Sequence, residues 1–193
     1  MINSKYKKHR ITLLSAVILL FAASCTKDLT DLELAEFPDI PEVFIDGFSP
    51  GLEYAVFGGA SLTAFDVDEE IKYKGTESMR FAVPNDGEPG GSYVGGAFYT
   101  STGRNLTRYD ALTFWARASE AVAIDEISIG VDLGEAKNRV TFAGVEMNTN
   151  WKKYIIPLPD PSKLTQERGM ISVVATPKDG KGYTFWLDEV RFE

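Results

Sequence analysis

Of the side chains that commonly carry out nucleophilic, acid–base or metal chemistry, this chain has one histidine, His9, and one cysteine, Cys25, against 28 aspartates and glutamates. Both rare residues lie near the N-terminus. There, Lys5, Lys7, Lys8 and Arg10 precede an apolar run, Ile11 to Phe21, and the small residues Ala22, Ala23 and Ser24. A basic start, a short apolar stretch and small residues before a cut site make residues 1–24 a secretory signal peptide. Its removal takes His9 away. The mature chain then has no Ser/His/Asp triad, no Cys/His pair and no histidine ligand for zinc. Carboxylates remain for proton transfer, with tyrosine and lysine as lesser options. Glycoside cleavage by two carboxylates survives this exclusion. Asp132, Glu135 and Glu146 are acids available for it, and their spacing singles out no acid and nucleophile.

The placement of Cys25 directly after Ala22-Ala23-Ser24 resembles a bacterial lipoprotein signal, in which that cysteine becomes the lipidated first residue. The other reading is an ordinary signal peptide cut near Ala23, with an incidental cysteine. Loss of residues 1–24 removes four of the 20 basic groups and no acidic one, leaving 16 against 28, a net charge of −12. So acidic a chain lacks the cations that displace counterions from a phosphate backbone, which argues against nucleic acid as a partner. Contact with a membrane is expected through the lipid anchor only. An exported chain with no cysteine pair must be held by packing or by a metal. Residues 25–42 carry Asp28, Asp31, Glu33, Glu36, Asp39 and Glu42 against Lys27, with Pro38 and Pro41 near their end. They read as a solvated acidic tether. Lys27-Asp28 is similar to the tag that sends Bacteroidetes-type lipoproteins to the outer membrane, facing the cell exterior.

From Val43 to Glu193 the elements that must position any site are short and β-rich. They are Val43–Ile45, Tyr54–Phe57, Met79–Val83, Tyr93–Tyr99, Leu112–Ala116, Ile124–Val131, Val140–Val145, Tyr154–Leu158, Ile171–Val174 and Tyr183–Phe192. Turn clusters such as Pro84-Asn85-Asp86-Gly87 and Lys178-Asp179-Gly180 separate them. Many short strands with turn signals at close intervals predict an all-β sandwich or barrel. The absence of alternating long helices excludes a doubly wound α/β fold.

Four stretches carry a resemblance. Tyr109-Asp110-Ala111-Leu112-Thr113-Phe114-Trp115-Ala116-Arg117 resembles the Y-D-x-L-x-F-W-x-K strand of jelly-roll carbohydrate-binding modules with a galactose-binding-like fold, closest to families 11 and 4/9. Trp151-Lys152-Lys153-Tyr154-Ile155-Ile156-Pro157-Leu158 is similar to their W-x-x-Y-x-x-P-L strand. Phe185 to Phe192 is similar to their closing x-x-I-D-x-V-x-F strand, and Gly75 to Phe81 to G-x-x-S-L-x-F. The stretches occur in the family's order. The resemblance implies a two-sheet β-sandwich over residues 43–193, and a structural calcium clipping the first strand to the last. Asp46 and Asp188 occupy the matching places for that ion, with carbonyls around Gly75 and the Ser78 region completing its shell.

Ligand-binding candidates follow from alternation. Leu112 and Phe114 share one face of their strand, and Thr113, Trp115 and Arg117 share the other. Trp115 would stack on a sugar face, and Arg117 would hydrogen-bond hydroxyls or a uronate. Tyr99 and Arg104 would stand at one lip of a groove. Asp132 and Arg139, flanking the Gly134-Glu135-Ala136-Lys137 turn, are further polar contacts, whereas Trp151 and Trp186 read as packing. The resulting expectation is a lipid-anchored, non-catalytic protein of the cell surface that binds polysaccharide or oligosaccharide. The alternatives are a small glycosidase or lyase, or a protein-interaction subunit of an outer-membrane glycan-uptake assembly.

Overall fold

Alternate residues of a strand turn to opposite faces of its sheet. In β6 (Ala111–Ala118), Leu112, Phe114, Ala116 and Ala118 are buried inward, and Thr113, Trp115 and Arg117 take the opposite face. This computed structural model describes residues 36–132, 134 and 136–193. The signal peptide, Cys25, the tether as far as residue 35 and Glu135 lie outside the described residues.

Among the described residues, eleven strands form two antiparallel sheets, so the all-β two-sheet sandwich read from the sequence is the fold. One sheet has the order β3 (Phe65–Asp68), β4 (Ser78–Ala82), β11 (Thr184–Phe192), β6, β9 (Lys152–Pro157), with β1 (Glu42–Phe44) also paired to β11. The other runs β2 (Leu52–Val56), β5 (Val94–Arg104), β10 (Glu167–Ala175), β7 (Val122–Ile129), β8 (Val140–Met147). Aromatic rings join the sheets: Phe98 of β5 lies 5.0 Å from Phe65 and 6.4 Å from Phe81, and Phe81 stacks on Phe185 at 4.9 Å. Such pairs add about 0.5–1.5 kcal/mol beyond the area they bury.

Two details depart from the sequence reading. Strand β3, Phe-Asp-Val-Asp, was not expected, because four residues are too short a run to display a period; pairing with β4 creates it. The sandwich also reaches back beyond Val43. Asn105 N–H donates to the Pro38 carbonyl and Phe192 N–H to the Pro41 carbonyl, each at 2.9 Å, and the Tyr109 hydroxyl donates to the Asp39 carbonyl. Residues 38–42 are therefore fastened to the body and are not tether. Their attachment uses backbone carbonyls, on which an acidic composition carries no information.

Candidate functional site

Sheet membership divides the expected binding residues into two groups. Trp115 and Arg117 stand on the outer face of the six-stranded sheet, whereas Tyr99, Asp132 and Arg139 belong to the five-stranded sheet and its connections. Trp115 does not present a free ring. Tyr73 stacks on it at 3.8 Å and 11°, and Trp151 meets the Tyr73 ring edge-on at 6.1 Å. The Arg117 guanidinium lies 5.5 Å over the Trp186 ring, whose indole N–H donates to Asp68 at 2.8 Å. Burial pushes the Asp68 carboxyl up, but the Ile71 and Glu70 N–H groups, the indole and Arg80 together hold it below its ordinary value. Stacking thus ties Trp115 to Tyr73, which itself remains 40% exposed on this face. Trp115→Ala should lower stability by about 2–3 kcal/mol, less than a fully buried tryptophan costs. Glycan retention on an affinity gel should stay unchanged, and lost retention with a native melt would return the site to this face.

The outer face of the five-stranded sheet is differently built. A row of small side chains crosses all five strands in register: Ala55, Ala97, Ser172, Ser128 and Thr141. Larger groups flank it. The Tyr93 ring lies over Gly95, where an added Cβ would come within 2.4 Å of the ring. Tyr99 donates its hydroxyl to Glu53 at 2.9 Å, and that bond, followed by burial, raises the phenol above its ordinary value. Arg168 pairs with Asp132 at 3.3 Å, and both charges act on the Tyr99 phenol. Arg139 pairs with Glu126, which also accepts the Ser128 hydroxyl.

Beside this cluster, a cleft of about 400 Å³ opens between the β7–β8 connection and the start of β10. Asp132 and Arg168 line it, and the connection reaches them because Gly169 has no side chain: a Cβ there would lie 2.3 Å from the Val131 nitrogen. The structure therefore gathers Tyr99, Asp132 and Arg139 on one face and adds Glu53, Tyr93, Glu126 and Arg168, which sequence reasoning missed. The alternation of Tyr93, Gly95, Ala97 and Tyr99 was the available signal. Arg168 gave none, since Glu-Arg-Gly before Met170 reads as a turn and here opens a strand.

Arg104 requires correction. It is 1% exposed, and its two terminal nitrogens donate to the carbonyls of Ile40, Glu42 and Pro50 and to the Ser49 hydroxyl. Burial pushes the guanidinium below its usual range. A side chain committed in this way fastens the N-terminal strap and is closed off from a ligand.

The four residues of the expected calcium clip surround one turn. Asp188 accepts the Tyr73 and Lys74 N–H groups at 2.7 and 3.1 Å, and Asp46 accepts Thr76 N–H at 2.5 Å. The Ser78 hydroxyl donates to Ile71, and the Asp46 carboxylate fills the space a Cβ of Gly75 would need. Burial raises the Asp188 carboxyl, against the pull of the Lys74, Tyr73 and Glu189 N–H groups. Among the described residues, no three His, Cys, Asp or Glu side chains gather as they would around a metal. Asp46 and Asp188 are oxygen donors of the kind calcium takes.

Residues 49–193 match the family model for carbohydrate binding domain 30. The family 11 carbohydrate-binding module of the cellulosomal cellulase Lic26A-Cel5E of Clostridium thermocellum superposes with a TM-score of 0.52 at 13% identity, covering 82% of this chain and 95% of that one. A crystal structure of a family 30 module gives 0.51 at 15% identity, with 81% and 95% covered. The family 30 module of the Clostridium thermocellum cellulase Cel9D-Cel44B gives 0.48 at 17% identity, with 81% and 94% covered. No curated protein matches the chain. Identities this low show the fold alone, but the family match runs from the end of the N-terminal strap through the last strand, over three quarters of the sequence. On that match, the chain belongs to the family of carbohydrate binding domain 30.

Proposed function

We propose that this protein binds polysaccharide on the outer face of its five-stranded sheet and leaves it chemically unchanged. The observation that carries the reading is the cluster of Tyr99, Glu53, Arg168 and Asp132 beside the small-residue row and the cleft. Arg168 and Glu53 supply fixed polar groups there and the half-buried Tyr93 ring supplies aromatic surface, as a sugar face and its hydroxyls require, while Tyr99, 7% exposed, supports them from beneath. The acids of this face are engaged already: Glu53 by Tyr99, Asp132 by Arg168, Glu126 by Arg139. Among the described residues, these three acids are held by partners of their own, unlike the free acid and nucleophile of glycoside cleavage. The small-residue row ends on β2 and β8, the two edge strands, which suits a chain crossing the sheet more than a chain end.

Affinity electrophoresis against a panel of neutral plant and microbial glycans tests the reading. At least one glycan should retard the protein, and Arg168→Ala should weaken that binding roughly tenfold, the worth of one charged hydrogen bond. Retardation by no glycan, or release of reducing ends, would sink it.

The proposal includes anchorage by lipid on Cys25 in the outer membrane of a Bacteroidetes-type bacterium, facing the exterior, beside glycan-uptake proteins. The N-terminal pattern supports it, and Cys25→Ser should release the protein from membranes. A structural calcium at Asp46 and Asp188 is part of the same proposal. It is supported by carboxylates from both ends of the domain on one turn, with no cation paired to Asp188 among the described residues. Millimolar calcium should then raise the melting temperature by several degrees over chelator, since an ion bound only by the folded state stabilises it. An unchanged melt removes the ion.

A further inference from the structure

The cleft beside the Tyr99 cluster is a separate compartment. Its volume of about 400 Å³ lies near the lower end of ligand sites, roughly 300–1,000 Å³, which suits one sugar ring and not a length of chain. Its polar lining comes from Asp132, Lys137, Asn138, Gln166, Glu167 and Arg168. Donors and acceptors are mixed there, as hydroxyls, which both donate and accept, require. An apolar occupant would leave those groups unpaired at a cost.

We infer that this cleft receives a single uncharged sugar branching from a main chain laid along the five-stranded face, so that the ligand is a side-branched neutral polysaccharide. The inference rests on the reading of that face as the glycan site. Three observations support it. The first is that the cleft is built before any ligand arrives. Glu167, 6% exposed, accepts the N–H groups of Arg168 and Gly169 at 2.9 and 3.0 Å and the Asn138 amide at 3.3 Å. The Gln166 amide donates to the Thr102 carbonyl at 3.0 Å. Walls fixed in this way lose little freedom on binding.

The second observation is charge. Among the described residues of the lining, Asp132 and Glu167 balance Lys137 and Arg168, leaving no surplus cation for a uronate or a sulfate. A charged branch would be desolvated beside Glu167 without a dedicated partner, which is costly. The third is continuity. Asp132 and Arg168 form one wall of the cleft and also act on Tyr99. Arg168, 43% of whose side chain is exposed, belongs to both the face and the cleft, so a chain lying across it passes the mouth of the cleft and a substituent on it can enter.

The experiment uses matched polysaccharides that share a main chain and differ in branching. Xyloglucan is set against hydroxyethylcellulose, and galactomannan of high galactose content against one of low content. In the pair whose main chain the protein binds, the branched member should bind about tenfold more tightly, equivalent to one or two hydrogen bonds. Lys137→Ala and Asn138→Ala, each checked by a thermal melt, should shrink that ratio to about twofold or less while leaving the unbranched member's affinity in place. Equal affinity for both members overturns the branch subsite and leaves the glycan face standing, as does an equal loss on both in either variant. Retardation by neither pair overturns the branch subsite; retardation by no glycan of the wider panel removes the face as well.

Discussion

Arg104→Ala is expected to lower the melting temperature by about 10 °C, the product of about 3–5 kcal/mol lost as several buried acceptors go unpaired and about 2–4 °C per kcal/mol for a domain of this size. The guanidinium is enclosed at the end of β5 and meets no carboxylate. Its four acceptors are three carbonyls and one hydroxyl, all from residues 40–50. Truncation leaves these oxygens without donors in a space closed to water, at about 1–3 kcal/mol for each that finds no substitute. Arg104→Met separates the two parts of the effect, since it keeps the stem's volume and removes the donors. It should recover little. Arg104→Lys should recover part, because one ammonium cannot reach every acceptor that the guanidinium fork spans. Binding of glycan to the folded fraction should be unchanged in all three variants. A near-native melt for Arg104→Ala would mean that the strap is held by the Pro38 and Pro41 contacts alone.

Gly169→Ala should damage the site as well as the fold. A Cβ at this position would lie 2.3 Å from the Val131 nitrogen and 2.5 Å from its oxygen, both backbone atoms that cannot rotate aside. Either β10 or the β7–β8 connection must move, at about 1–3 kcal/mol for overpacking. Moving the connection withdraws Asp132 from Arg168 and opens the cleft wall, so glycan affinity should fall by roughly tenfold or more even where the protein remains folded. Gly58→Ala is the control: a Cβ there meets nothing within 4 Å, and its backbone lies outside the left-handed region. It should shift stability by less than about 0.5 kcal/mol. Native affinity in Gly169→Ala would separate the connection from the binding face.

The strands were legible because each depends on its own residues. Ten of the eleven were found from runs such as Leu112–Ala116 and Ile171–Val174, and the inward side of β6 followed from Leu112 and Phe114. The exception, β3, is an element that its neighbour defines. Candidate residues fared differently according to what they must touch. Tyr99, Asp132 and Arg139 come together, though 40 positions separate the first from the last. Arg104 looked like a free cation at a groove's lip because nothing near it in sequence is acidic; its partners lie 54 to 64 positions earlier. Trp115 was rightly placed outward, but the ring that covers it, Tyr73, belongs to a turn between β4 and its predecessor that no local pattern ties to β6.

The sequence by itself determined the chemistry that is missing, the all-β class, the family pattern and the alternation of each strand. All of these are properties of composition or of neighbours along the chain. Which outward faces lie on the same side of the sandwich was decided by the tertiary structure alone. The two-residue period says that Trp115 and Tyr99 both point away from the core, but it is identical for strands of either sheet. Sheet membership and register come from long-range pairing, of β6 with β11 and of β5 with β10. That pairing sets the two aromatic residues on opposite faces, where one is covered by Tyr73 and the other stands beside Arg168, Asp132 and the cleft.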